Sequence, residues 1–419
     1  MKIMRERFLL ALMVGFSPVG FAEELNFAST DWPCWRGAKR DGIASGDSPP
    51  PTEWSETKNV IWKQPVPGRG HGSVTVVGNQ VLLAAAEHDS QTQSVLCFDR
   101  DTGRSLWKAK IHQGRFVKRM NKKATLASST MASDGERFFI SFLNGGAVYT
   151  SAISREGEIL WQTKITEYKV HQGYGSSPAV YRSLVIVSAD NKKAGCIAGL
   201  ERKTGKIVWK TQRARKPNYA SPVIHHIHGR DQLLFSGTNL VSSFDPMTGE
   251  TIWEIKGATT ECVTTMPTNG DLVFTSGGYP RNHVSAIRAD GSGTVVWENS
   301  VRVYVPSMIV HKGYLYAVTD AGIAVCWKSD TGKEMWKGRL GGTFSSSLVL
   351  AGDLFYAANE SGKTFIFEAT PGKFTLRAEN TLGNEVFATP TFSGGRIYQR
   401  VAHMIGNQRR EMLYCIGLK

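Results

Sequence analysis

The residues best suited to chemistry gather in a few short loops. Arg69 and His71 stand two apart in Pro67-Gly68-Arg69-Gly70-His71-Gly72, and His171 and Tyr174 stand three apart in His171-Gln172-Gly173-Tyr174. A His or Tyr beside an Arg can abstract a proton next to a carboxylate while the Arg stabilises the charge that develops. Proton abstraction of that kind would serve elimination from an acidic polysaccharide, a reading by analogy only. The same residues also suit plain lead-in to a strand, since Gly173, Gly175 and Ser176-Ser177-Pro178 surround Tyr174. No Gly-x-Ser-x-Gly elbow, P-loop or His-Glu-x-x-His motif is present, so no residue receives a catalytic role.

A second kind of chemistry is charge. Lys and Arg number 50 against 36 Asp and Glu, a net charge of +14. The excess is uneven. The segment Arg115-Phe116-Val117-Lys118-Arg119-Met120-Asn121-Lys122-Lys123 is rich in bases and has no acid. Further clusters are Asn191-Lys192-Lys193, Arg213-Ala214-Arg215-Lys216, Arg281-Asn282-His283 and Arg409-Arg410. Cations held on one rim concentrate anions near it. The composition is otherwise that of a globular chain, with 41% apolar and 21% charged residues. Disorder and collagen-like structure are excluded.

Positioning these loops requires a scaffold, and the scaffold is repetitive. Cys97-Phe98-Asp99-Arg100-Asp101-Thr102-Gly103-Arg104-Ser105-Leu106-Trp107 is one unit. Similar units end at Trp209, Trp253 and Trp336, with looser copies ending at Trp161, Trp297 and Leu376. Each reads as strand, Thr-Gly turn, strand. β-rich pairs such as Ser177–Val180 with Leu184–Ser188 precede the units, and no long stretch has a helical period. With Trp62 added, the repeat ends lie 39 to 54 residues apart, room for four strands each. The pattern predicts an all-β, eight-bladed β-propeller of four-stranded blades over residues 60–419. Val60–Val66 has no inner strands of its own, and the last blade stops before its outer strand. The first strand is therefore expected to complete the last blade and close the ring.

In such a ring the second-to-third-strand loops and the blade-to-blade loops share one face, here called upper. The basic clusters fall there, as do Arg69, His71, Arg119, Lys122, His171, Tyr174, Asn218, Tyr219, Arg281 and Tyr304. These ten are the expected ligand-binding residues. They imply an anionic ligand, an acidic glycan or an acidic protein partner. Asn218, Tyr219 and Tyr304 hold equivalent lead-in positions, which points to a lining role. No nucleic-acid motif appears, and nucleic acid is not expected as a partner.

The six cysteines are expected as buried free thiols. Cys97 and Cys326 stand ten residues before their Trp, where Ser151, Gly199 and Ser243 stand in other units, so a small side chain is wanted. Equivalent points on different blades are too far apart to bridge. Cys34 and Cys262 are the pair whose disulfide status is least legible. No close-spaced Cys/His set suggests a metal.

Residues 1–22 read as a secretory signal: a basic start, the apolar run Phe8–Phe16, and Gly20-Phe21-Ala22 before a cut. A periplasmic or secreted protein follows, with no integral membrane segment once the signal is removed. Residues 23–59 form a lead segment ahead of the ring.

The Thr-Gly-x-x-x-Trp repeat resembles the tryptophan-docking repeat of quinoprotein dehydrogenases and of the wider pyrroloquinoline-quinone-like (PQQ-like) propeller family. The resemblance covers residues 60–419. Trp32-Pro33-Cys34-Trp35-Arg36-Gly37-Ala38-Lys39-Arg40-Asp41-Gly42 and the Pro67–Gly72 loop look like the leading segments of exported members. A relative with the same ring is the outer-membrane assembly lipoprotein of the β-barrel assembly machine, which works as a scaffold; its lipid-anchor Cys has no counterpart here. The resemblance implies either binding and scaffolding or a PQQ-dependent dehydrogenase. In that dehydrogenase branch the quinone sits against a disulfide of adjacent cysteines, beside calcium. No two cysteines here are adjacent, and Cys-x-x-Cys-His is absent. A binding or scaffolding role with no cofactor is the leading expectation. PQQ-dependent oxidation and polysaccharide elimination are the alternatives.

Overall fold

A computed structural model describes residues 25–46 and 48–418; the expected signal at 1–22 lies outside them. The described chain is all β, with eight sheets. Seven sheets have four strands. The fifth, Leu272–Gly277, His283–Arg288 and Val295–Asn299, has three. Its innermost position is reduced to a single bridge between Thr268 and Val273.

The ring closes as expected. Val60–Val66 pairs antiparallel with Gln408–Ile416, with Trp62 opposite Cys415 and Gln64 opposite Leu413. The first strand thus covers what would be an open edge of the last blade.

Wherever the repeat ends in Trp, the indole packs that blade against the next. The indole of Trp62 lies over Gly103 in the neighbouring blade, and a Cβ there would stand 2.5 Å from the ring. Gly103 also has φ +71°, a left-handed conformation that glycine adopts without strain. The same indole donates from Nε1 to Arg100 O at 3.0 Å. Trp107 repeats the contact to Arg155 O at 2.8 Å, Trp161 to Arg202 O at 3.1 Å, Trp297 to Ser329 O at 2.8 Å and Trp336 to Thr370 O at 2.8 Å.

Within a blade the Trp faces a small residue on the third strand. Cys97 pairs with Trp107, Gly199 with Trp209, Ser243 with Trp253 and Cys326 with Trp336. In the second blade the partner of Trp161 is Ala152, not Ser151. The looser copy is one residue shorter there. The need is steric: a Cβ on Gly199 would meet Trp209 Nε1 at 2.4 Å. All six cysteines are buried free thiols, Cys34 and Cys262 included.

A second belt joins the blades around the central channel. A Ser or Thr two residues before an inner strand accepts from the equivalent backbone N–H of the preceding blade. Ser73 N donates to Thr130 Oγ1, Thr130 N to Ser177 Oγ, and Ser177 N to Ser221 Oγ, each at 2.9 Å. Thr265 N donates to Ser307 Oγ at 3.0 Å, Ser307 N to Ser347 Oγ at 2.9 Å, and Ser347 N to Thr389 Oγ1 at 2.8 Å. These bonds satisfy backbone donors that would otherwise face the channel unpaired.

The lead segment plugs the lower end of the channel. Trp32 bridges to Val76 and Ile43 to Leu350. Buried Arg36 donates to Leu348 O at 3.1 Å and Met308 O at 2.8 Å, and Arg40 to Val180 O at 2.5 Å. A single short segment thus grips four inner strands. The chain then runs outward, where Trp54 N donates to Asn380 Oδ1 at 2.8 Å, and enters Val60–Val66.

Candidate functional site

With its lower end plugged, the channel becomes a blind pocket of about 560 Å³ open at the upper face. Half-buried Trp35 forms the floor, and its Nε1 donates to Thr265 Oγ1 at 2.8 Å. The walls come from blade-to-blade and second-to-third-strand loops. His71, Tyr174, Tyr219 and Tyr304 line it, as the sequence predicts. Lys123, Arg302, Asp320 and Glu360 line it too.

Tyr304 sits at the centre of the polar wall. Its backbone N–H donates to Asp320 Oδ2 at 2.7 Å, and its hydroxyl donates to Glu261 Oε2 at 3.1 Å. Arg302 lies over its ring, 5.0 Å from the centroid, and donates to Gly278 O at 2.8 Å. His171 stands behind this wall. Lys192 Nζ lies 3.0 Å from His171 Nδ1, and Lys is only a donor, so Nδ1 accepts. That leaves His171 Nε2 to donate to Glu261 Oε1 at 3.1 Å. Buried Glu261 therefore has both oxygens engaged.

The opposite wall carries His71 against Phe387, with ring centroids 4.3 Å apart. Arg69 lies over the same Phe387 ring at 5.9 Å. Burial holds His71 far below the usual histidine range, and Arg69, Arg400 and Arg409 push it further. It is neutral at pH 7. Burial pushes the Tyr174, Tyr219 and Tyr304 hydroxyls up, Glu261 adding to the effect on the last two. They stay protonated phenols. Burial likewise raises Asp320, with the Tyr304 amide acting the other way.

Several expected residues stand elsewhere. Asn218 does not line the pocket. It is buried, donates to Ser236 O at 2.9 Å and accepts from Cys262 N at 2.9 Å, so it ties two neighbouring blades together. Tyr174 presents its ring, but its hydroxyl is spent on Ser188 O at 3.1 Å. Arg119 and Lys122 are exposed on the 115–123 loop, and Arg281 is exposed on a loop of the fifth blade. Arg69 reaches Lys122 O at 3.3 Å.

The upper rim is also less uniformly cationic than the sequence suggests. Arg213 is buried on Asp190, with Nε 3.0 Å from Oδ2. Arg409 pairs with Glu385 and, at 3.0 Å, with Glu411. Lys123 reaches over the pocket mouth to Glu360 at 2.7 Å. The 115–123 loop keeps its charge. Phe116, Val117 and Met120 pack onto the core, while Arg115, Lys118, Arg119 and Lys122 are exposed. Among the described residues these four make no ion pair; only Lys123 does.

Sequence reasoning missed Trp35, Glu261, Arg302, Asp320 and Glu360 as site residues. Arg302 had a usable signal, standing two residues before Tyr304. Among the described residues no three His, Cys, Asp or Glu side chains are grouped to hold a metal ion.

A family model described as outer membrane protein assembly factor BamB matches residues 91–338, with a second match over 328–408. The chain belongs to this family of PQQ-like propellers. A search of curated sequences returns no significant match. Solved structures extend the likeness in fold. The crystal structure of BamB from Moraxella catarrhalis aligns with TM-score 0.61 at 13% identity, covering 86% of this chain and 97% of that one. A europium-containing methanol dehydrogenase aligns with TM-score 0.69 at 11% identity, covering 93% and 98%. The quinohemoprotein alcohol dehydrogenase from Comamonas testosteroni gives 0.67 at 11%, covering 93% and 81%. The ring is therefore shared by an assembly factor and by dehydrogenases, and the fold by itself does not choose between them.

Proposed function

We propose that this chain is an exported binding or scaffolding propeller whose upper face docks an anionic partner, an acidic glycan or an acidic protein surface. The observation that carries this is the 115–123 loop. Its apolar residues anchor it to the core, and four of its bases are exposed and make no ion pair among the described residues. Such a patch attracts acidic surfaces over about a Debye length and loses that attraction as salt rises.

The pocket chemistry supports binding over turnover. Elimination needs a poised base; the three tyrosines are held protonated by burial, and His71, though neutral, is made a weak base by burial and by Arg69, Arg400 and Arg409. The hydroxyl of Tyr174, one of the His and Tyr residues considered for that role, is committed to a carbonyl. PQQ with calcium would need free carboxylate ligands together in the pocket. Glu261 is engaged by His171 and Tyr304, and Glu360 by Lys123 and Ser345. That leaves Asp320, held by the Tyr304 amide, as the one pocket carboxylate without a side-chain partner among the described residues. None of the buried cysteines lines the pocket. This donor set does not fit the quinone–calcium pair, and the proposed function uses neither.

The test is retention on immobilised polyuronate and polyglutamate under a salt gradient. The wild type should bind and elute with salt, and Lys118→Glu/Arg119→Glu/Lys122→Glu should elute much earlier with unchanged thermal melting. Equal elution of wild type and variant on both supports would sink the proposal.

A further inference from the structure

The pocket differs chemically from the rim above it. Its two cations, Lys123 and Arg302, face two carboxylates, Glu360 and Asp320. The Lys123–Glu360 pair is closed at 2.7 Å, and His71 adds no charge at neutral pH. The cavity therefore offers a ligand no net charge. It offers flat apolar surface and many hydrogen-bonding groups instead.

The flat surfaces are Trp35 on the floor and Tyr219 beside it, with Tyr304 and Phe387 adding ring edges and whatever face Arg302 and His71 leave uncovered. The polar groups include Asn121, whose Nδ2 donates to Gln172 Oε1 at 2.7 Å, and the carboxylates Asp320 and Glu360. The size, about 560 Å³, is within the usual span of small-ligand pockets. A ligand for this setting needs an apolar face, an edge of groups that both donate and accept, and no net charge. A pyranose ring has all three: C–H faces to lie on an aromatic ring, and hydroxyls that serve as donor and acceptor. Hydroxyls donating to carboxylates make charge-assisted bonds, stronger than neutral ones.

We infer that the central pocket binds a neutral sugar ring, seated against the aromatic wall above Trp35 with hydroxyls directed to Asp320, Glu360, Asn121 and Arg302. This site is separate from the proposed anionic docking at the rim and does not depend on it.

The test titrates the full chain with maltose, cellobiose, lactose and a neutral N-acetylhexosamine disaccharide. Tryptophan fluorescence and calorimetry report binding, with a uronate disaccharide as the charged comparison. At least one neutral disaccharide should bind at millimolar concentration or below. Its affinity should hold from about 0.05 to about 0.5 M salt, because no net charge is exchanged. Asp320→Asn keeps an acceptor for the Tyr304 amide but removes the charge, and Glu360→Gln does the same for Ser345. Each should weaken binding about tenfold, 1.4 kcal/mol, at unchanged melting temperature. The rim variant Lys118→Glu/Arg119→Glu/Lys122→Glu should bind the sugar as the wild type does. The inference falls if no neutral disaccharide binds, if only the uronate binds and does so in a salt-dependent way, or if neither pocket substitution changes affinity. Loss of rim docking with sugar binding intact would count against the rim alone.

Discussion

Trp35 Nε1 lies 2.8 Å from Thr265 Oγ1, and this bond joins the plug to the hydroxyl belt of the channel. Six of the belt hydroxyls accept from a neighbouring blade, as Ser307 accepts from Thr265 N. At Thr265 the hydroxyl accepts from the lead segment instead. The floor of the pocket and the ring that surrounds it are one hydrogen-bonded unit.

Thr265→Val should therefore lower stability by about 1–2 kcal/mol, the loss of a hydrogen bond that leaves its donor short of a partner. Trp35→Phe removes the same bond from the other side. Urea unfolding of the two single variants and the double should show a non-additive cycle, since both delete one interaction. Strictly additive losses would show that the bond contributes nothing.

The blade-to-blade clamp predicts a contrast between two glycines of nearly equal φ. Gly249 has φ +72° and a Cβ there would stand 2.3 Å from Trp209, whereas Gly229 has φ +73° and open space. Gly229→Ala should cost about 1–2 kcal/mol of left-handed backbone strain. Gly249→Ala should add an overpacking cost of about 1–3 kcal/mol on top. Equal destabilisation of the two, measured by denaturant midpoint, would remove the indole contact from the account.

Burial pushes the thiols of Cys97, Cys326 and Cys415 up to about 12 and that of Cys196 to about 11, and raises Cys34 and Cys262 as well. Thiolate is the reactive form. The native protein at pH 8 should consume almost no thiol reagent, and the denatured chain should titrate six thiols. Rapid labelling of any cysteine in the folded state would contradict this.

Acid should destabilise the fold through its buried histidines. Burial lowers His112, His225 and His283 to about 4. Between pH 6.5 and about 4 the unfolded chain binds more protons than the folded one, so stability is full above pH 6.5 and falls as pH drops through that window. Buried carboxylates with raised values, Asp190 among them, act in the opposite sense at the acid end. A comparison isolates the histidine term. His283→Gln, at a site 1% exposed, should lose stability less steeply than the wild type between pH 6.5 and 4.5 in melting experiments. Parallel pH profiles would mean that His283 titrates normally.

The amino-acid sequence alone determined the ring, the number of blades and the closure by Val60–Val66. These features are local and repeated. A Thr-Gly turn and a Trp at fixed spacing carry the same strand information many times, so a weak signal becomes a strong one. The burial of Cys97 and Cys326 was legible for the same reason: the position opposite a repeat Trp must be small, and Gly199 and Ser243 show it. The His71, Tyr174, Tyr219 and Tyr304 lining followed from their place in the blade-to-blade loops.

Tertiary structure decided the rest. Glu261, Asp320 and Glu360 come from different blades and share no sequence pattern; only closure of the ring brings them beside Tyr304 and Lys123. The charge of the rim was decided in the same way. Arg213 and Arg409 look as free as Lys118 and Arg119 along the chain, but Asp190 and Glu385 meet the first two in space. The plug is the plainest case. Nothing in Trp32–Gly42 has strand or helix periodicity, and its conformation is set by the inner-strand carbonyls that Arg36 and Arg40 find on several blades at once. Local preference chooses a strand or a turn, whereas a contact between distant segments exists only after the chain has closed around it.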